Sequence, residues 1–135
     1  MLRHASILLG LALIPATIAG LFHPKRPDWK SYESQEISLE NALKLKSVLW
    51  VDARSASAYE VDHISGALLL NEDEWDRQLP MVLQTWSPER SIIVYCSSRQ
   101  CQASHHIAQR LKVVGVSPIY VLKGGWEIWL QHSKN

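Results

Sequence analysis

The sequence predicts a small α/β domain in which a parallel sheet is covered by helices on both faces. Short, continuous runs of β-branched and other apolar residues alternate with segments whose apolar residues recur every three or four positions. Continuous apolar runs are typical of strands buried on both faces, and their alternation with helices favours parallel pairing. The length of 135 residues, with 47% hydrophobic and 20% charged residues, suits one globular domain.

The first half of this domain is predicted to hold three helices and two strands. Ser38 and Ser55 precede the first two helices and are good N-caps, because a serine hydroxyl accepts a hydrogen bond from a free N–H of the first turn. Pro80 interrupts the third helix and is expected to kink or split it. The predicted order is helix 39–46, strand 48–51, helix 56–60, strand 67–70 and helix 72–86.

The second half of the domain repeats the alternation with two strands and two helices. The run from Ile92 to Tyr95 is β-branched and aromatic, as buried strands are. Gly115 ends the helix that follows, and Gly124 and Gly125 are predicted to form a turn before the last helix. The predicted order is strand 91–95, helix 102–113, strand 118–122 and helix 126–130.

The charge of the chain gives no indication of nucleic-acid binding. The formal net charge is +1, and no long run of like charge is present. Binding to nucleic acid depends on clustered Lys and Arg side chains that face phosphates. We therefore expect no nucleic-acid partner.

The N-terminal segment is predicted to meet a membrane. Residues 5–22 contain no charged residue, and a helix of that length covers about 27 Å at ~1.5 Å per residue, near the lower limit for spanning a bilayer. A signal peptide is the alternative, because Pro15 breaks the apolar run before a few small residues. The predicted organisation is an anchor or signal peptide at 1–22, a linker at 23–34 and a domain at 35–135.

The orientation of this segment depends on the cations at its two ends. Arg3 and the α-amine precede it, and Lys25, Arg26 and Lys30 follow it, so they compete under the positive-inside rule. We favour export. The expected location is membrane-anchored or exported, with the domain on the extracytoplasmic (periplasmic) side and the membrane contacted through residues 5–22.

The most informative residue is Cys96, which directly follows the predicted strand 91–95 and precedes a polar loop and a helix. Backbone N–H groups and the positive end of a helix dipole favour a thiolate at such a place. Because the loop is polar, the thiol is expected at a solvent-accessible rim. Cys101 is the only other cysteine of the chain. The structural alternative is a small buried residue that ends a strand.

Several blocks of the sequence, in order, resemble the rhodanese-like family. They cover about residues 37–130, and their combination is specific although each is weak alone. The resemblance implies a five-stranded, mainly parallel sheet with helices on both faces, and a cysteine that carries sulfane sulfur as a persulfide. The blocks are Trp50 to Arg54, Tyr59, Asp62 to Ala67, Ile92 to Cys96, and Tyr120 to Trp126 with Trp129.

Compared position by position, Cys96 matches the sulfur-accepting cysteine of the family, which makes it the candidate catalytic residue. Asp52 and Arg54 match residues that brace the loop after the first core strand, and His63 matches a turn residue. The segment that matches the active-site loop consists of Ser97, Ser98, Arg99, Gln100 and Cys101.

The sequence departs from the family at the end of this loop. Rhodanese loops often close with an arginine five residues after the cysteine, where its guanidinium would bind an anionic donor such as thiosulfate. That position here is Cys101, and Arg99 is not assumed to replace the missing guanidinium because successive side chains of a tight loop point in different directions. Thiosulfate is therefore expected to be a poor donor. The related phosphatase loop has its arginine one position later, where this chain has Gln102.

Two thiols in such a loop are compatible with three functions. The first is a sulfurtransferase, in which Cys96 takes sulfur from a small sulfane-sulfur donor and passes it to a thiol acceptor, with Cys101 as a candidate resolving thiol. The second is a dithiol redox protein, which requires the two Cα atoms to come within ~7 Å. The third is a non-catalytic binding module.

The sequence predicts no cofactor and no metal site. Cys96, Cys101, His105 and His106 have a spacing that matches no common zinc pattern. Adjacent residues on a helix point about 100° apart, so at most one of the two histidines would face the loop.

Overall fold

The computed structural model describes residues 34–135. The predicted membrane segment at 1–22 and nearly all of the linker at 23–34 lie outside the described residues. Within residues 34–135, no helix is long and apolar enough to cross a membrane.

Strands and helices alternate strictly along the described chain. The five strands all pair in parallel and are β1 (Glu36–Ile37), β2 (Val48–Asp52), β3 (Leu68–Leu69), β4 (Ser91–Tyr95) and β5 (Ile119–Leu122). The five helices that follow them are α1 (Leu39–Lys44), α2 (Ala56–Val61), α3 (Trp75–Thr85), α4 (Ala103–Val113) and α5 (Gly125–Ser133).

The strand order is β1-β5-β4-β2-β3, which places β4 in the middle of the sheet. Val94 of β4 pairs with Val51 of β2 on one side and with Val121 of β5 on the other. The residue after β4 therefore lies near the centre of the carboxyl edge, where open α/β sheets bind their ligands.

Successive residues of β4 point to two different layers of helices. Ile92 and Val94 pack in a core cluster with residues of α3 and α4, whereas Ile93 and Tyr95 pack in a second cluster with residues of α1 and α5. All four are fully buried. The prediction of helices on both faces is confirmed, and burial on both faces explains the continuous apolar runs.

The first two helices begin where the sequence predicted. Ser38 accepts a hydrogen bond from the backbone N–H of Asn41, and Ser55 accepts one from that of Ala58. These side chains satisfy N–H groups that have no partner within the helix.

Three details of the element prediction were wrong. Of the two outcomes expected at Pro80, a kink or a split, the split does not occur, because α3 continues through this residue. Pro80 lies on an exposed part of α3, where the carbonyl that loses its helical donor can bind water. The last helix runs to Ser133 rather than residue 130. The apolar pattern also missed β1, whose two residues form an edge strand beside β5 and include the exposed Glu36.

Candidate active site

Cys96 lies directly after β4 and at the start of a loop that leads into α4, as the sequence predicted. Cys96 is only 4% exposed. A disulfide joins it to Cys101, and the two Cα atoms are 6.1 Å apart. The expectation of a thiol at an accessible rim is therefore wrong for this disulfide form. Cys101 is partly exposed.

The loop between the two cysteines turns back on itself. The backbone N–H of Cys101 donates to the carbonyl of Ser98 at 3.2 Å, which brings the two ends of the loop together. Ser97, Arg99 and Gln100 are exposed and Ser98 is partly exposed. The four predicted loop residues between the cysteines are thus exposed or partly exposed to solvent.

The first turn of α5 binds this loop through the backbone. The N–H of Trp126 donates to the carbonyl of Cys96 at 2.7 Å, and the N–H of Glu127 donates to that of Ser97 at 3.2 Å. Both donors belong to the helix end that carries partial positive charge. The position of the cysteine loop is therefore fixed from the neighbouring strand–helix connection as well as from β4.

Gly125 makes this close approach possible. Its φ is +56°, and a Cβ atom there would overlap the carbonyl oxygen of Cys96 and lie 3.2 Å from the backbone N of Ser98. The sequence pattern predicted only a turn at Gly125 and gave no prediction of this contact. The available signal was a pair of glycines between a buried strand and a helix, a pattern that often marks a close backbone approach.

We expect Gly125→Ala to displace the cysteine loop, because the new methyl group would collide with backbone atoms that cannot move independently of β4. Misplacing a nucleophile by about 1 Å can cost on the order of 100-fold in rate, so the sulfur transfer that the family resemblance implies at Cys96 should fall by at least about tenfold. The measurement is the rate of persulfide formation on the reduced protein.

Gly66→Ala is the matched control for this variant. Gly66 also has a positive φ, of +80°, but a Cβ atom there would meet nothing within 4 Å. Both variants carry the backbone strain of a left-handed alanine, about 1–2 kcal/mol. Equal rates of persulfide formation in the two variants would show that the contact with Cys96 does not matter.

A buried ion pair lies beside the loop. Arg54 Nη2 donates to Asp52 Oδ2 at 2.7 Å, and its Nε donates to Oδ1 at 3.0 Å. The hydroxyl of Tyr95 donates to Asp52 Oδ2 at 2.8 Å, and Arg54 also donates to the carbonyl of Asp62 at 2.6 Å. These contacts agree with the bracing role that the resemblance implied for Asp52 and Arg54.

This ion pair is connected to α5 through an aromatic ring. The guanidinium carbon of Arg54 lies 4.5 Å from the centroid of the Trp126 ring and 5.7 Å from that of Tyr95. Burial lowers the pKa of Arg54, but the hydrogen bonds and charge of Asp52 outweigh it, so the pKa is raised overall. Burial raises the pKa of the Tyr95 hydroxyl, and the charge of Asp52 adds to the effect, so the hydroxyl stays protonated and donates.

Two histidines make contacts with residues outside the cysteine loop. His63 stacks on Tyr59 with 3.8 Å between the ring centroids, and its Nδ1 lies 2.7 Å from the Tyr59 carbonyl, which suits a turn residue. His105 Nε2 lies 3.5 Å from a carboxylate oxygen of Glu36 in β1. Among residues 34–135, no group of three or more potential ligands is arranged to hold a metal ion.

Arg99 lines a groove of about 730 Å³ between α1 and α5. Leu43, Lys44, Lys123 and Ile128 also line it, and neither cysteine does. Arg99 therefore faces a surface beside the disulfide, and its placement gives no support for an anion site directly over Cys96.

The fold and the site together define a small parallel α/β domain with a disulfide-bonded cysteine loop at the middle of its sheet edge. The sequence model of the family described as "Rhodanese-like domain" matches residues 37–132. The chain belongs to the rhodanese-like domain family.

Two relatives of the chain are named as thiosulfate sulfurtransferases. The chain is 31% identical over 96 residues to a thiosulfate sulfurtransferase GlpE of Tolumonas auensis, covering 69% of this chain and 85% of that protein. It is also 30% identical over 90 residues to the thiosulfate sulfurtransferase GlpE of Coxiella burnetii, and this match covers 67% of this chain and 78% of that protein. These relatives support a sulfurtransferase-type enzyme.

Solved structures share the fold. The BH2092 protein of Bacillus halodurans superposes with a TM-score of 0.60 at 24% identity, covering 74% of each chain. A rhodanese-related protein of Thermoplasma volcanium superposes with a TM-score of 0.58 at 15% identity, covering 73% of this chain and 92% of that one. At these identities the likeness concerns the fold alone.

Proposed function

We propose that this chain is a single-domain sulfurtransferase that carries sulfane sulfur as a persulfide on Cys96. The observation that carries the proposal is the position of Cys96, which follows the central strand β4 of a rhodanese-like domain in a loop whose backbone is bound by α5. The thiosulfate sulfurtransferase relatives support the same reaction class.

The reaction begins from the reduced form. The Cys96 thiolate attacks the outer sulfur of a small donor, a bond forms between this sulfur and Sγ, and the donor's own bond to the sulfur breaks with its electron pair. With thiosulfate as the donor, the outer sulfur is transferred and sulfite is the leaving group. The hydroxyls of Ser97 and Ser98 and the N–H groups of the loop are the candidate partners of the persulfide. An acceptor thiolate then attacks the outer sulfur and restores Cys96.

Cys101 provides a second route away from the persulfide. Its thiolate attacks Sγ of Cys96, which forms the disulfide and releases the outer sulfur as hydrosulfide. The two electrons that reduce the sulfane sulfur come from the two cysteines, so no other oxidant or reductant takes part. The Cα separation of 6.1 Å and the disulfide itself support this role.

Mass spectrometry of the reduced, full-length protein tests the proposal. After exposure to thiosulfate, inorganic polysulfide or glutathione persulfide, we expect an increase of about 32 Da on the peptide that contains Cys96. The absence of this adduct with all three donors, on a folded and reduced protein in which Cys101 is replaced by serine so that it cannot remove the sulfur, would contradict the proposal.

The disulfide favours one second candidate, a dithiol redox protein. In that function Cys96 and Cys101 exchange electrons with a partner thiol and never carry sulfane sulfur. The same experiment on the Cys101→Ser variant separates the two, because this variant cannot resolve a persulfide to the disulfide. A sulfurtransferase would keep the adduct of about 32 Da on Cys96, whereas a redox protein would gain no such adduct.

We expect Cys101→Arg to improve thiosulfate as a donor. The substitution restores a cation where rhodanese loops often have one, and a charge-assisted contact to an anion is typically worth about 1.5–3 kcal/mol, or about 10- to 100-fold in affinity. The variant should also keep its persulfide longer, because no neighbouring thiol remains to attack it. Steady-state transfer from thiosulfate and the decay of the adduct measure the two effects.

Cys101→Ser is the matched control, since it removes the second thiol without adding charge. It should prolong the persulfide without lowering the KM for thiosulfate. If Cys101→Arg gains nothing over Cys101→Ser with thiosulfate, then position 101 does not face the donor.

For location we propose that residues 5–22 attach the chain to a membrane or direct its export, with the domain on the extracytoplasmic side. The uncharged apolar run supports this, and a disulfide is more readily maintained in an oxidising compartment. After reduction of intact cells, a membrane-impermeant thiol reagent should label Cys101, which is partly exposed. Labelling that appears only after lysis would place the domain in the cytoplasm.

A further inference from the structure

We infer that an external thiolate opens the Cys96–Cys101 disulfide by attacking the sulfur of Cys101, so that Cys101 is the residue through which a thiol reductant restores the enzyme. The inference rests on the proposed function in one respect, since the disulfide is the product that resolution by Cys101 would leave. It assigns the final step of that cycle to a particular atom.

The two sulfur-bearing residues differ in their access to solvent. Cys96 is 4% exposed and follows the fully buried Tyr95. Cys101 is partly exposed, and both of its neighbours, Gln100 and Gln102, are exposed. The rate of thiol–disulfide exchange depends on which sulfur is attacked and on access to it. An external thiolate therefore reaches Cys101 first.

The anchoring of the loop increases this difference. The carbonyl groups of Cys96 and Ser97 accept hydrogen bonds from Trp126 and Glu127 in the first turn of α5. These bonds hold the backbone of Cys96 in place and oppose movements that would bring this residue to the surface. Cys101 lies at the opposite end of the loop, where its own N–H bonds only to Ser98 within the same loop.

Opening of the disulfide at Cys101 proceeds by two thiol–disulfide exchanges. A bond forms between the external sulfur and Sγ of Cys101, the bond between the two cysteines breaks, and its electron pair leaves with Sγ of Cys96. A second external thiolate then attacks the external sulfur of the mixed disulfide on Cys101. Cys101 leaves as a thiolate, and the two external thiols are joined in a disulfide. Two thiols are oxidised and one disulfide is reduced.

This direction of opening also suits the chemistry of Cys96. A thiol with a low pKa leaves faster, and a cysteine after a parallel strand and beside helix N-termini is in surroundings that favour its thiolate. Attack at Cys101 frees Cys96 directly in the form that takes up sulfur. Attack at Cys96 would instead block the nucleophile with the reductant.

Tryptic mapping can identify the attacked sulfur because Arg99 lies between the two cysteines. Cleavage after Arg90, Arg99 and Arg110 places Cys96 on peptide 91–99 and Cys101 on peptide 100–110. The full-length protein is first oxidised with diamide, and the linked pair of peptides confirms the disulfide. It is then mixed briefly with glutathione, quenched in acid, alkylated with N-ethylmaleimide and digested.

At the earliest times we expect at least about tenfold more glutathione on the peptide with Cys101 than on the peptide with Cys96, and maleimide on Cys96. The same protein unfolded in guanidinium chloride is the control, and its ratio should fall towards one because both sulfurs are then accessible. Glutathione found mainly on Cys96, an equal distribution in the folded protein, or failure to form the intramolecular disulfide would each overturn the inference.

These results are independent of the test of sulfur transfer. Persulfide formation is measured on the reduced Cys101→Ser protein, which cannot form the disulfide. A protein that forms the persulfide but shows glutathione on Cys96 would retain its proposed function and lose only this assignment. A protein that shows the preference for Cys101 but no persulfide would be the dithiol redox protein.

Discussion

Cys96→Ser is expected to abolish sulfur transfer and to leave the fold intact. A serine hydroxyl fills nearly the same volume as a thiol, but it is not ionised near neutral pH and cannot supply the nucleophile. The loss should be on the order of 1,000-fold or more, as for other enzymes that lose their nucleophile. Transfer assays with thiosulfate and with a persulfide donor measure the effect.

Cys101→Ser is the control that isolates the nucleophile. Both variants lose the disulfide, whose short loop contributes about 2 kcal/mol to stability at most. Their midpoints of thermal unfolding should therefore be similar, and only Cys96→Ser should lack a sulfur adduct. Transfer that persists in Cys96→Ser would show that the nucleophile lies elsewhere.

Local signals predicted most of the sheet and the start of the site. Buried strands such as β4 have an apolar pattern of their own, and the N-caps Ser38 and Ser55 act within a few residues of their position in the chain. The resemblance to the family predicted the fifth strand and identified the loop that begins at Cys96 as the active-site loop. All of these features depend on short stretches of sequence.

The features that the sequence did not predict depend on contacts between distant segments. β1 has only two residues, and its register is set by pairing with β5, more than eighty positions later. Cys96 is buried at a place where the first turn of α5 contacts its backbone, a close approach that Gly125 allows. A contact between α5 and the cysteine loop leaves no periodic pattern in the sequence. The polar residues after Cys96 alone therefore led to the wrong expectation of an accessible thiol.

The second large effect that we expect is a loss of stability in Asp52→Asn. Asp52 is fully buried and accepts hydrogen bonds from both Arg54 and Tyr95. Removing one charge of a buried pair leaves the other without compensation, which typically costs about 3–5 kcal/mol. For a domain of about 100 residues this lowers the midpoint of thermal unfolding by more than about 10 °C.

Two variants make this prediction specific to the buried pair. Glu40→Gln removes the exposed ion pair with Lys44, which is 2.9 Å long and worth at most about 0.5 kcal/mol. Tyr95→Phe removes one hydrogen bond to Asp52 and leaves the buried N–H of Ile64 without its acceptor, at a cost of about 1–3 kcal/mol. Denaturant unfolding of the reduced proteins gives the three free energies.

The expected order of destabilisation is Asp52→Asn, then Tyr95→Phe, then Glu40→Gln. The pair also has a consequence for the site, because the Arg54 guanidinium packs on Trp126, whose backbone N–H binds the carbonyl of Cys96. Persulfide formation by the folded Asp52→Asn protein should therefore be slower than that of Glu40→Gln. If Asp52→Asn is no less stable than Glu40→Gln, Arg54 is compensated by its other contacts, and the bracing of the loop does not depend on the charge of Asp52.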